Sequence, residues 1–418
     1  MDILSTRCDS RGLPDIPHEL WLEIISKYDK NDIRETFARY VHKNNIPFPI
    51  KEFDEYEYKK RFYDFYTKSF LSFYGDSDVV HEKYDYKYKY SDNPLGVIDK
   101  GNYYNMVSNF FQQENRLRCP YNSAKSPYEI WNDEKLLSKF NWHWWRLGVM
   151  GKSDIDESVI RAGFRLGGYI ATQFKPSVAK AIYERHHAVN VLDTSCGWGD
   201  RLAGFYATPS TKLYVGCDPN PKVFEVYKEQ CLSYDRLLGG DPVLHEEEDY
   251  FECRGIKTVK IWRKPSEDVD WSLYEDTFDL YFTSPPYFDT EKYAEGGDAE
   301  DDQSWKRYNN FEKWKNDFFF KVSRDVWKTI KKNGFMMINI IEPRSKGKTY
   351  NLCDDMVDTF RTFDQCHYIG KIGMRMMARP NVDKEELSGV FIEPIWVFRK
   401  DNSSYIDTAE SNLEQFFE

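Results

Sequence analysis

Several things are missing from this sequence, and each absence excludes a class of protein. There is no run of 18 apolar residues, so no membrane-spanning helix is expected. Asp2, Arg7 and Asp9 precede any apolar stretch, which is not the pattern of a secretory leader. The eight cysteines, at 8, 119, 196, 217, 231, 253, 353 and 366, form no C-x-x-C. That argues against a zinc site or a disulfide framework, predicts no metal, and favours an intracellular, reducing setting, cytoplasmic or nuclear/nucleoid. No internal repeat or low-complexity linker is present. Positive charge is outnumbered, with 58 Lys and Arg against 69 Asp and Glu. A net charge of −11 disfavours an extended clamp for a polyanion. The acid is concentrated, however, in residues 244–252, 288–310 and 401–418, and the remainder is slightly basic. A local basic face is therefore allowed.

Aromatic residues are plentiful: 12 Trp, 30 Tyr and 29 Phe in 418 residues, enough to build large cores. Residues 1–150 read as an accessory domain, mostly helical and aromatic-rich. Pro14 and Pro17 precede an amphipathic helix around Leu20–Ile25. Tyr84, Tyr86, Tyr88 and Tyr90 alternate with Lys83, Asp85, Lys87 and Lys89, a strand pattern whose tyrosines pack on a core or stack bases. Trp142, Trp144 and Trp145 read as a packing plug. From residue 151 to 400, strands and helices alternate, which predicts a parallel sheet. Seven strands are expected, at 190–193, 212–218, 257–263, 278–284, 334–341, 367–376 and 393–399. Helices are expected at 175–187, 200–207, 221–235, 267–275, 309–332 and 352–364. The fold class is α/β, Rossmann-like and seven-stranded, with an N-terminal α+β domain. Residues 401–418 read as an acidic tail.

The first strand runs into Asp193-Thr194-Ser195-Cys196-Gly197-Trp198-Gly199-Asp200-Arg201. Two glycines between a strand and a helix let a ligand approach the backbone near a helix N-terminus. The loop lacks the Gly-Lys-Ser/Thr of a phosphate-binding loop and the third glycine of a dinucleotide fingerprint. Asp193 is placed to take an ammonium group. Asp218, followed by Asn220, ends the second strand, where an acid can accept both ribose hydroxyls. Ser266 and Glu267 follow the third strand and could border an adenine edge. In order and spacing these features resemble the motifs of class I S-adenosylmethionine-dependent methyltransferases. Phe174-Lys175-Pro176 resembles the segment that in amino-methyltransferases packs over the methionine end of the cofactor. The resemblance thus implies S-adenosyl-L-methionine held by Phe174, Lys175, Pro176, Asp193, Ser195, Gly197, Gly199, Arg201, Asp218, Asn220, Ser266 and Glu267.

The fourth strand ends in Ser284-Pro285-Pro286-Tyr287. Two prolines fix φ, remove two donors and prevent a helix from starting. This resembles the [D/N/S]-P-P-[Y/F/W] signature of DNA adenine-N6 and cytosine-N4 methyltransferases. The resemblance implies a catalytic Ser284, Pro285, Pro286 and Tyr287, with Tyr287, Phe288 and Arg379 touching substrate. It implies methyl transfer by in-line displacement to the exocyclic amine of a base flipped out of DNA. It leaves open adenosine in RNA as the target, or a binding protein on a dead methyltransferase fold. No target-recognition domain fits between the motifs or behind them, so recognition is expected from residues 1–150, from the loop 288–310 or from 377–393. The resemblance covers about residues 160–400.

Overall fold

The computed structural model describes residues 7–75, 80–81, 88–90, 94–98, 102–120, 124–140, 146, 148, 150–289, 300–345, 347–376 and 390–401. They form two compact units. The first comprises the described residues of Met1–Asp54 and Gln113–Thr172, the second those of Glu55–Gln112, Gln173–Glu291 and Asp298–Glu418. This division differs from a cut at residue 150.

The first unit is helical. His18–Lys27, Lys30–Lys43, Pro127–Trp131, Glu134–Phe140 and Glu157–Gly167 are its helices, and Leu13, Trp21, Phe37, Trp131 and Phe164 lie in its core. Its helix starts follow from the sequence. Asp29 and Asp156 accept the backbone N–H of Asn31 and Val159, and Ser126 with Glu129 forms a capping box. The buried Trp131 indole donates to the Ile46 carbonyl at 2.8 Å, which satisfies its one polar atom.

The second unit is built on a sheet of twelve strands among the described residues. In chain order they are β1 (Tyr74–Gly75), β2 (Val80–His81), β3 (Pro94–Ile98), β4 (Asn190–Asp193), β5 (Leu213–Cys217), β6 (Val243–Glu247), β7 (Tyr250–Arg254), β8 (Thr258–Trp262), β9 (Phe278–Thr283), β10 (Ile330–Asn339), β13 (Cys366–Arg375) and β14 (Val390–Lys400). Two more, β11 (Arg344–Ser345) and β12 (Lys348–Thr349), make a separate hairpin. The sheet order is β1-β3-β13-β14-β10-β9-β4-β5-β8-β7-β6, with β2 paired to β14.

The seven strands expected from sequence are β4, β5, β8, β9, β10, β13 and β14. β8, β5, β4, β9 and β10 run parallel, and β14 inserts antiparallel between β10 and β13. β4 therefore lies between β5 and β9, and the winding reverses there. The carboxyl ends of β4 and β9 open the crevice where such sheets bind ligands.

Both faces of the parallel strands are covered, which is why they read as continuous apolar runs. Val191 packs into one core with Ile182, Leu202 and Phe224. Its neighbour Leu192 points the other way, into a core with Trp314, Val326 and Met356. Tyr58, Phe62 and Phe65 of the helix Glu55–Thr67 join the first of these cores. Residues 55–112, which the sequence places in the accessory part, thus belong with the sheet.

Several expectations are corrected here. The β6–β7 hairpin is absent from the expected strands, because its acidic residues mask the strand pattern. No α-helix forms over 267–275. Two 3-10 turns, Ser266–Asp268 and Trp271–Tyr274, stand there, clasped by the Trp271 indole donating to the Ser266 carbonyl at 2.8 Å. The helix expected at 309–332 stops at Trp327 and contains a π-helical stretch, Trp314–Phe320. The wider turn buries Trp314, Phe318, Phe319 and Phe320 together. Of the Tyr–Lys alternation, residues 82–87 lie outside the described residues. Tyr88 is buried against Trp396 (5.1 Å, edge-on), and Lys89–Tyr90 form a turn rather than a strand. Residues 141–145, 290–299, 377–389 and 402–418 also lie outside, so the tryptophan plug, the middle of the loop 288–310, most of the loop 377–393 with Arg379, and nearly all of the tail are not described. No helix among the described residues is long and apolar enough to cross a membrane. No group of three or more His, Cys, Asp or Glu among them could hold a metal ion.

Candidate active site

The loop after β4 is organised by one carboxylate. Asp193 is fully buried, and its Oδ1 accepts from the Ser195 N–H (3.1 Å), the Thr283 hydroxyl (2.9 Å) and an Arg201 amine (3.2 Å). Its Oδ2 accepts from Arg201 Nε (2.7 Å) and the Tyr214 hydroxyl (2.7 Å). A carboxylate offers about four lone-pair sites, so none is left for an ammonium group. The role expected for Asp193 is corrected accordingly: it ties β4 to β5, β9 and the following helix. Arg201 is likewise committed. Burial opposes its charge, but Asp193 beside it raises its pKa above the ordinary value. Its guanidinium also bonds the Ser195 carbonyl. It lies 5.2 Å over the Phe174 ring.

The two glycines lie between β4 and the following helix, as the spacing predicts. Gly197 (φ +56°) and Gly199 (φ +70°) both sit in the left-handed region. At Gly199 a Cβ would also come within 2.3 Å of Gln230 Oε1. Gly199 caps the helix Asp200–Ala207, so the loop's backbone turns directly into a helix N-terminus. Asp200 itself is turned inward, accepting from the Ser108 hydroxyl and from the Gln173 amide (2.7 Å).

Asp218 extends just beyond β5 and touches this loop. Its Oδ2 accepts the Gly197 N–H at 3.0 Å and its Oδ1 the Asn220 N–H at 3.0 Å. The Tyr227 hydroxyl acts on the same carboxylate as a third donor, which leaves room for a further one. Burial pushes the Asp218 carboxyl up to about 6, against the pull of those two N–H groups and of the Tyr227 hydroxyl. Asn220 caps the helix Pro221–Leu237 by accepting from the Lys222 N–H at 3.1 Å. The Tyr227 hydroxyl from that helix donates to the Gly197 carbonyl. The glycine loop is thus gripped at both its N–H and its C=O.

After β8, Ser266 is buried and its carbonyl is taken by Trp271. The Glu267 carboxylate is nearly enclosed, with Arg307 at 3.0 Å, and burial raises its pKa. Phe174 meets Phe282 of β9 edge-on at 5.6 Å. The Lys175 ammonium donates to the Arg375 carbonyl, and Pro176 is the first residue of its helix.

The turn after β9 begins at Thr283, whose hydroxyl is held by Asp193, so Ser284 leaves the sheet beside the glycine loop. Its hydroxyl has no hydrogen-bond partner among the described residues. Ser284 and Pro286 are half-buried and Pro285 is buried. Tyr287 is expected to offer a ring for stacking, but it is only 9% exposed. Its hydroxyl bonds Glu393 and the Asn339 carbonyl (3.2 Å). It is a fixed wall of the turn rather than a free platform. Phe288 is corrected more strongly. It is 4% exposed and packs on Phe311, Trp314 and Tyr350, so its place is in the core rather than against a substrate.

Thr283, Tyr214, Asn339 and Glu393 are not singled out by the sequence. Glu393 sits on β14, and its pKa is raised by burial, offset by Tyr287, Asn339 and Lys175. No local pattern marks it, because its partner lies 106 residues away in the chain.

No protein-family profile and no curated protein matches this chain. Solved structures do resemble it weakly. One is Burkholderia thailandensis 1,6-didemethyltoxoflavin-N1-methyltransferase with bound 1,6-didemethyltoxoflavin and S-adenosylhomocysteine, at 13% identity and a TM-score of 0.31, covering 54% of this chain and 78% of that one. Another is TrmN from Thermus thermophilus, at 11% identity and 0.30, covering 54% and 48%. These likenesses are too slight to carry the fold or the chemistry, which rest on the strand order and the loop geometry described above.

Proposed function

We propose that this chain is an S-adenosylmethionine-dependent methyltransferase acting on the exocyclic amine of a base in DNA, adenine N6 or cytosine N4. The observation that carries the reading is the placement of Ser284. Its hydroxyl, with no hydrogen-bond partner among the described residues, stands at the end of β9, beside the glycine loop of β4, at the point where the sheet reverses its winding.

The residues present fit the cofactor. Asp218, just beyond β5, would accept from the ribose hydroxyls, and Gly197 and Gly199 put no side chain in the loop beside it. Glu267 borders the far side with a nearly enclosed carboxylate. When bound, the cofactor supplies a methyl group activated by its sulfonium.

The protein's own part is orientation. An exocyclic amine is a weak nucleophile because its lone pair is delocalised into the ring. Ser284 Oγ and the Pro285 carbonyl would accept its two N–H groups, turn the nitrogen out of conjugation and fix its direction. The two prolines hold those acceptors still. Tyr287, locked through Glu393, supports the turn from behind. A base in a duplex would have to leave its stack to reach this turn.

Transfer of a labelled methyl group to DNA and to RNA, followed by nucleoside mass spectrometry, tests this. N6-methyladenine or N4-methylcytosine in DNA is the expected result. Label only in RNA adenosine moves the substrate to RNA. No binding of the cofactor or its demethylated product by calorimetry leaves a binding protein on this fold.

A further inference from the structure

β4 and β9 are neighbours in the sheet, yet they do not stay paired to their ends. Their backbone partners are Val191–Leu280 and Leu192–Tyr281. On its other side β4 keeps pairing with β5 as far as Asp193–Gly216, and β9 with β10 as far as Ile338–Thr283. The backbone ladder therefore leaves a gap between the glycine loop and the turn after β9.

Side chains span that gap. The Thr194 and Tyr281 hydroxyls meet at 2.8 Å, beside the last backbone pair. Two residues further along β9, the Thr283 hydroxyl donates to Asp193 Oδ1 at 2.9 Å. Both residues of this second bond are fully buried, so it is shielded from solvent.

The two sides of the Thr283–Asp193 bond are held unequally. Asp193 is gripped by Ser195, Arg201 and Tyr214 even without Thr283. Beyond it, the Gly197 N–H is held by Asp218. The glycine loop thus keeps its shape if the threonine hydroxyl is lost. The turn has no such reserve toward β4. The Tyr287 hydroxyl is anchored to Glu393 of β14 and to Asn339 of β10, and both of those strands lie on the opposite side of β9.

We propose that Thr283 is a positioning residue for methyl transfer: its hydroxyl sets the spacing between Ser284 and the cofactor held at the glycine loop. This rests on the proposed transfer to a nucleobase nitrogen and names the group that aligns its two sides. A displacement between reactants carried by two separate loops demands close alignment, and a misplacement of about 1 Å costs about a hundredfold in rate. The Thr283–Asp193 bond ties one loop to the other at the residue next to Ser284.

The test is Thr283→Val in the full chain, which keeps the branched shape and removes only the hydroxyl. Its single-turnover rate of methyl transfer, at saturating cofactor and oligonucleotide, should fall by about ten- to a hundredfold. Cofactor affinity by calorimetry and KM for the oligonucleotide should stay within about twofold of wild type, the mark of a loss confined to the transition state. The calorimetry also reports that the variant is folded. Thr283→Ser restores the donor and should recover the rate. Tyr281→Phe breaks the neighbouring bond, where backbone pairing already holds the strands, and should keep the rate within about twofold. Four results would overturn the inference and leave methyl transfer standing: an unchanged rate in Thr283→Val, a rise in KM at constant rate, a loss of cofactor binding, or equal rate losses in Thr283→Val and Tyr281→Phe. A wild type that methylates neither DNA nor RNA would remove both readings together.

Discussion

Two loops leave adjacent parallel strands of this sheet, and they treat their polar groups in opposite ways. The loop after β4 spends its carboxylate entirely on the protein: Asp193 takes five hydrogen bonds from Ser195, Arg201, Tyr214 and Thr283. The turn after β9 leaves Ser284 with no partner among the described residues, although its neighbours Thr283 and Tyr287 are both tied down. One loop is a fastening. The other holds a single group in readiness between two fastened ones. Ser284 is half-buried, so its hydroxyl is left open to solvent rather than spent on the fold, and the difference separates a structural residue from one available to bind.

Substitutions can break that contrast. Arg201→Ala should have the largest effect, because it leaves Asp193 buried without its countercharge. Chemical denaturation should show a loss of about 3–5 kcal/mol in stability. Arg201→Lys should recover only part, since an ammonium cannot reproduce the paired guanidinium geometry. Ser284→Ala should do the reverse. Methyl transfer should fall by about a hundredfold, the scale expected when one preorganised polar group is removed from a reaction site. Its unfolding midpoint and cofactor affinity should stay at wild-type values. A stability loss in Ser284→Ala as large as that in Arg201→Ala would erase the distinction.

A pH series sharpens the comparison on the cofactor side. Asp218 carries a carboxyl pushed up to about 6 by burial, and hydroxyl donors bind its ionised form. Cofactor affinity should therefore be level above pH 7 and fall as pH drops through 6, by about tenfold at pH 5. Asp218→Asn should flatten that dependence. For folding the sign is opposite: a carboxyl raised in the folded state favours the native protein as pH falls toward its unfolded value. A joint loss of binding and stability on acidification would therefore point to some other group. The smallest effect should come from Tyr287→Phe, which keeps the ring but releases Glu393. Transfer should fall severalfold, with cofactor affinity unchanged.

Much of the sheet is legible because parallel strands buried on both faces leave unbroken apolar runs, as in Val191-Leu192 and Leu213–Cys217. The glycine loop is legible because positive φ at Gly197 and Gly199 demands a residue without a Cβ. What stays hidden depends on distant partners. Arg201 reads equally well as a ligand for a carboxylate or as the mate of Asp193, and only packing shows that it is the mate. Tyr287 reads as an exposed platform until β14, more than 100 residues on, brings Glu393 to its hydroxyl. The hairpin β6–β7 is hidden for a different reason. Its outer face is charged, so period-two alternation is diluted by Glu246 and Glu247. Residues 55–112 give no local sign that Tyr58 and Phe62 serve the sheet's core.

That same acidic hairpin has a consequence for the chain's life in a crowded solution. A sheet this wide ends in a strand with open backbone groups, a template on which a stray extended peptide could dock. At one end the terminal strand is β6, where His245, Glu246 and Glu247 are exposed and Lys228 clasps Glu246 at 2.6 Å. A second copy approaching β6 against β6 would bring like charges into register, so this edge should resist pairing with its own copy even when the protein is concentrated.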